Sequence, residues 1–167
     1  MADTQDKKLF WVSTFPGIGI EEIYIPAEPE WLFETQHHHQ HKSLTLTSQT
    51  NSDVPALVQL IQHDFQLTES EYPIVRNAVV EKHESQLNTS LAIQTLNDNH
   101  LSSQSYIAVT ENGSDSMLHQ LDIFLSNGRV WTFSSTVTAE YSNQFQITRD
   151  KIFKSIQLSP SNTLDRG

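Results

Sequence analysis

Apolar and polar positions alternate along most of this chain, and helical spacing replaces that alternation in two places. Ile18, Ile20, Ile23 and Ile25 mark a first strand, Ile18 to Ile25, stopped by Pro26 and Pro29. Trp31 to His38 reads as a second extended segment. A third is Ser43-Leu44-Thr45-Leu46-Thr47, with Leu44 and Leu46 on one face. Gln49-Thr50-Asn51-Ser52-Asp53 then supplies turn and N-cap residues, and Pro55 sits where a first-turn proline is tolerated. Val54, Leu57, Val58, Ile61 and Phe65 follow at helical spacing, which predicts an amphipathic helix over about Asp53 to Leu67.

Beyond Tyr72-Pro73 β-branched residues return at Ile74, Val75, Val79 and Val80. They predict strands at about Ile74 to His83, Gln86 to Asn97 and Ser103 to Glu111, separated by turn formers at Asn97-Asp98-Asn99 and Asn112-Gly113-Ser114-Asp115. Two long strands, Met117 to Leu125 and Arg129 to Ala139, flank Asn127-Gly128, a pair that tolerates the positive φ angles of a type I′ hairpin turn. One face of the first of these strands carries Met117, His119, Leu121, Ile123 and Leu125, and the other carries Leu118, Gln120, Asp122 and Phe124. Ser142 to Leu158 closes the chain with Phe145, Ile152, Phe153 and Ile156 on one helical face. Short reversals between the later strands favour an antiparallel meander over a parallel, Rossmann-like sheet. The expected architecture is α+β: an antiparallel sheet of about six to seven strands between two main helices, in a single domain over residues 1–167.

Composition sharpens this picture. At 167 residues with 37% hydrophobic content, the chain can bury a proper core. It has no cysteine, which removes disulfides, thiol nucleophiles and thiolate metal sites. A net charge of −10, with ten scattered Lys and Arg, argues against nucleic acid. The start of the chain lacks the apolar run and small-residue cleavage site of a secretory signal, and no stretch has the length of a bilayer span; a cytoplasmic protein without direct membrane insertion is expected.

Candidate chemistry is sparse. His37-His38-His39-Gln40-His41 could ligate a metal, with His37 and His39 pointing the same way on a strand; a polar strand end is the alternative, since no HExxH or acidic third ligand stands at motif spacing. Glu21, Glu22, Glu28, Glu30 and Glu34 form an acidic region that suits a solvated face or the steering of a basic partner. With five glycines there is no phosphate-binding loop, and no G-x-S-x-G elbow is present. Neither an enzyme nor a cofactor is expected. Gln120, in the middle of an apolar strand, is a candidate polar anchor on a binding surface, and Gln59, Gln62, Gln94 and Gln104 could serve likewise.

Ile25-Pro26 and Trp31, Ser43-Leu44-Thr45-Leu46, the helix expected at Val54 to Phe65, Met117-Leu118-His119-Gln120 and the Thr-rich strand Trp131 to Thr138 together resemble the Mog1/PsbP-like fold. Within it the chain is similar to the DcrB-like family, which includes the Eag chaperones of type VI secretion effectors. That resemblance implies a cytosolic chaperone, often a homodimer, whose sheet cradles the apolar N-terminal helices of an effector. It also implies client-binding roles for Leu44, Leu46, Gln62 and Gln120. Leu121 and Ile123 lie opposite Gln120 and cannot line the same groove. Two other readings stay open: a Mog1-like adaptor using its acidic face, and a PsbP-like accessory subunit of a larger assembly.

Overall fold

The structure, a computed structural model, describes residues 10–26, 31–38, 41–48, 56–94, 104–112 and 115–158. The turns expected at 97–99 and 113–114, the helix start at 53–55, and Glu28, Glu30, His39 and Gln40 lie outside these described residues. In chain order the elements are β1 (Phe10–Phe15), β2 (Ile20–Pro26), β3 (Trp31–His37), β4 (His41–Ser48), β5 (Leu57–Gln66), α1 (Tyr72–Leu87), β6 (Ala92–Gln94), β7 (Gln104–Asn112), β8 (Asp115–Ser126), β9 (Arg129–Thr138), α2 (Ser142–Ser155) and β10 (Gln157–Leu158). Seven strands form one antiparallel sheet in the order β3-β4-β5-β9-β8-β7-β6, and β1-β2-β10 form a small second sheet. The α+β class and the size of the main sheet are as expected.

The β8–β9 hairpin closes as its turn residues demand. Ser126 pairs with Arg129 across Asn127 and Gly128, whose φ angles are 55° and 79°.

Two segments fold differently from expectation. Residues Leu57 to Gln66 form strand β5, paired with β4 on one side and β9 on the other, not a helix. This central strand carries apolar residues on both faces, so Leu57, Val58, Leu60 and Ile61 satisfy either period. Conversely, the β-branched stretch after Tyr72 is helix α1, and among the described residues of the expected 86–97 strand only Ala92–Gln94 are extended. A turn leads into helix α1: Thr68 N donates to Glu71 Oε1 at 2.9 Å, and Glu71 N donates to Thr68 O at 3.1 Å. Pro73 occupies its first turn, where a missing N–H costs nothing, and Asn88 ends it at φ 55°.

The main sheet has two unlike faces. On the core face, the apolar cluster joins Leu44, Leu46, Val58, Leu60, Phe124, Trp131 and Phe133 to Phe145, Ile152, Phe153 and Ile156 at α2, and to Ile18, Ile20, Ile23 and Ile25 from the small sheet and the turn before it. Phe133 stacks on Phe153 at 4.6 Å. Gly19 makes a tight joint against this face: its φ is 83°, and a Cβ there would meet Gln62 Nε2 at 3.0 Å. The same face buries one ion pair. Arg149 Nη2 donates to Asp122 Oδ2 at 2.8 Å and to Phe133 O at 3.2 Å, while Nε donates to Ser135 Oγ at 2.6 Å. Ser105 Oγ donates to the other Asp122 oxygen, and the guanidinium lies 4.7 Å from the Phe133 ring centre. Burial works against the charged form of Arg149, and Asp122 works for it.

On the opposite face, Tyr106, Leu121, Ile123 and Val130 pack against Leu67, Tyr72, Val75, Val79 and Val80. Helix α1 therefore covers the end of this face nearest the Asn127-Gly128 turn. The result is a sheet sandwiched between α1 and a layer made of α2 with the small sheet.

Candidate functional site: the uncovered end of the α1 face

Past α1 the same sheet face continues. Strand register sets Thr45 and Thr47 of β4 beside Gln59 and Leu57 of β5, these beside Ser134 and Thr136 of β9, and Thr136 beside His119 of β8. Alternation along each strand turns these side chains to the face that α1 occupies further along. All are half-buried except Leu57, which is 39% exposed. Met117, Ala108 and Thr138 lie buried beside them.

Hydrogen bonds across strands hold the polar groups in place. Gln59 Nε2 donates to Thr45 Oγ1 at 3.1 Å. The His119 ring bridges two hydroxyls, with Nε2 2.7 Å from Thr110 Oγ1 and Nδ1 3.1 Å from Thr136 Oγ1. Burial lowers the pKa of His119 from the ordinary imidazole value, so at neutral pH one ring nitrogen donates and the other accepts. Its partners here are hydroxyls; the carboxylate that orients the base of a catalytic triad is not among them. None of Thr45, Thr47, Leu57, Gln59, Thr110, His119, Ser134 and Thr136 carries a formal charge in this state, within a chain of net charge −10. Such a surface offers fixed donors, acceptors and methyl groups.

The residues that the sequence singled out sit elsewhere. Leu44 and Leu46 are each 1% exposed and belong to the core cluster. Gln62 and Gln120 share their face and are 7% and 5% exposed. The sequence does gather all four on one side of the sheet, but α2 and the small sheet close that side. Gln120 Oε1 is buried without a hydrogen-bond partner. An unpaired buried acceptor costs about 1–3 kcal/mol, so Gln120→Met is expected to leave the unfolding midpoint unchanged or raise it. A clear drop in a urea titration would show that the amide has a structural role.

Gln59, assigned by its spacing to a helix, is the candidate glutamine that reaches the uncovered end. Gln94 and Gln104 are half-buried near β6. His37 and His38 are exposed on β3 and after it, and among the described residues no group of three or more His, Asp or Glu side chains is placed to hold a metal ion. Glu21, Glu22 and Glu34 are exposed. Among the described residues no helix is long and apolar enough to cross a membrane. Comparison with known protein families finds none that matches the chain, and comparison with curated proteins finds no significant match.

Proposed function

We propose that this chain is a non-enzymatic, cytosolic binding protein of the DcrB-like kind, a chaperone that shields an apolar N-terminal helix of a type VI secretion effector on the uncovered end of the α1 face. One observation carries this reading: the sheet face that already accepts a helix, α1, continues beyond it as a half-exposed surface with no formal charge at neutral pH. A helix laid there would extend an existing helix-on-sheet layer. The methyls of Thr45, Thr47 and Thr136 with Leu57 would shield its apolar side. Gln59, Ser134 and His119 would hydrogen-bond polar groups on its flank. At about 25 cal/mol per Å² of apolar surface removed from water, covering one side of such a helix opposes its aggregation.

The test is recovery of a soluble carrier fused to a 20-residue apolar helix and co-expressed with the chain. Leu57→Asp and Thr47→Arg each place a charge on the uncovered surface, and are expected to cut that recovery at least several-fold. Their unfolding free energies should stay within about 1 kcal/mol of the parent. Undiminished recovery with both folded variants would overturn the assignment. If instead Glu21→Lys and Glu34→Lys abolished binding of a basic partner, the adaptor reading would replace it.

A further inference from the structure

His37, His38 and His41 do not act as one group. The β3–β4 hairpin closes with His38 N donating to His41 O at 2.8 Å, so these two residues face each other across the strands and their side chains leave the sheet on the same side. Their rings have centres 4.7 Å apart and are tilted by 44°. His37 alternates to the opposite side, where its ring lies beside Gly17. A chain of hydrogen bonds along β3 then fixes which nitrogen of His38 can bind. Gln36 Nε2 donates to Glu34 Oε1 at 3.4 Å, which orients the amide, and Gln36 Oε1 lies 3.0 Å from His38 Nε2. A carbonyl oxygen only accepts, so Nε2 carries the proton and Nδ1 the lone pair. Such a carboxylate–amide–imidazole chain holds a metal-ligating histidine in one tautomer and raises its basicity. Burial, then His38 and Lys82, hold the pKa of His41 below its ordinary value, so at neutral pH its ring has no proton to lose before it binds. Glu34, Gln36 and His38 are exposed and His41 is half-buried, which leaves the pair open to an ion from solvent.

We propose that His38 and His41 form a two-imidazole site for a first-row transition-metal ion of the Zn²⁺, Ni²⁺ or Cu²⁺ class, which ties the end of β3 to β4. Two imidazoles on one ion at about 2.0–2.1 Å, spread by a right angle to a tetrahedral angle, have ring centres about 4.5–5.2 Å apart. The 4.7 Å between His38 and His41 falls inside that range. Two protein ligands are fewer than the three of a catalytic zinc site, so water fills the remaining positions and the ion exchanges with solvent. With nitrogen as the donor atom, the site selects against Mg²⁺ and Ca²⁺, which take oxygen. His63 stands opposite His41 on β5, and the site does not call on it. This inference does not depend on the identity of any partner.

The experiment is calorimetric titration of the whole chain with Zn²⁺ and with Ni²⁺, and urea unfolding with and without each ion. Binding is expected to raise the unfolding midpoint; at a free-ion concentration about one hundred times Kd, the unfolding constant should fall about a hundredfold. His38→Ala and His41→Ala should each weaken binding more than about tenfold, and Gln36→Leu, which keeps both ligands but releases the His38 tautomer, about tenfold. His37→Ala, on the other side of the strand, should leave the affinity unchanged. None of these four positions is fully buried, so circular dichroism of the variants should match the parent. No binding of either ion below about 1 mM would overturn the proposal. So would an unchanged affinity in Gln36→Leu, or a loss in His37→Ala equal to that in His38→Ala, which would mark adventitious binding to a histidine-rich stretch.

Discussion

Replacing Arg149 with methionine is expected to destabilise the fold by about 3–5 kcal/mol, because it leaves the carboxylate of Asp122 buried without its counter-charge. Both side chains are 1% exposed, so water cannot take over the lost interactions. Ser135 Oγ and Phe133 O lose these donors at the same time, and the Ser105 hydroxyl, which still reaches Asp122, is no counter-charge. Domains of this size are held by about 5–15 kcal/mol, so the variant sits near the edge of folding. The cost belongs to breaking the pair more than to lacking it. Arg149→Met combined with Asp122→Leu should therefore recover much of the loss, since apolar groups of similar volume replace buried pairs at little cost. Urea unfolding of the two single variants and the double variant measures this directly. A loss below about 1 kcal/mol in Arg149→Met would mean that Asp122 finds solvent or another donor.

Leu44→Asp should have the larger effect. Leu44 packs in the core at 1% exposure, opposite Leu60 across the β4–β5 ladder, and a carboxylate there has no partner. Removing the side chain alone, as in Leu44→Ala, costs about 2–5 kcal/mol. Adding a buried charge on top is expected to exceed 5 kcal/mol and leave the chain largely unfolded at 25 °C. Circular dichroism and near-ultraviolet spectra would show this at once. Loss of a client from Leu44→Asp would report unfolding and not a damaged groove, whereas Leu57→Asp, also on the main sheet but exposed, separates the two. Native spectra for Leu44→Asp would mean that the core face opens far more readily than its packing implies.

Local signals decided how much of this fold could be read from the chain. Asn127-Gly128 names its own turn, and the spacing of Phe145, Ile152, Phe153 and Ile156 names the buried side of α2. Where the reading failed, two segments exchanged types. Val58, Leu60 and Gln62 alternate toward the core, but apolar Leu57 and Ile61 stand on the other face, where Leu57 is 39% exposed, and alternation disappears from view. In α1 the β-branched Ile74, Val75, Val79 and Val80 suggested strands, although Tyr72, Val75 and Val79 keep helical spacing. The Thr68-Glu69-Ser70-Glu71 stretch before Pro73 was the overlooked signal, a turn with a first-turn proline after it.

The candidate site went unseen for the same reason. Thr45, Gln59, Ser134 and His119 are ordinary polar residues until β5 lies between β4 and β9, and only that pairing brings them together. Burial of Gln62 and Gln120 was equally illegible. A polar residue in a strand is expected to face solvent, and what closes the core face comes from both ends of the described chain.

That closure has a consequence for synthesis. Tyr24 N–H on β2 donates to Ser155 Oγ on α2, a partner 131 residues away, and β2 also pairs with β10. As the polypeptide leaves the ribosome, Leu44, Leu46, Val58 and Leu60 emerge long before α2 exists to cover them. Only the β1–β2 part of the cover exists through most of translation, and this face is closed only after α2 and β10 have been made. A truncation that removes α2 and β10 would leave the nascent state as the final one, a sheet whose apolar side keeps only the β1–β2 part of its cover.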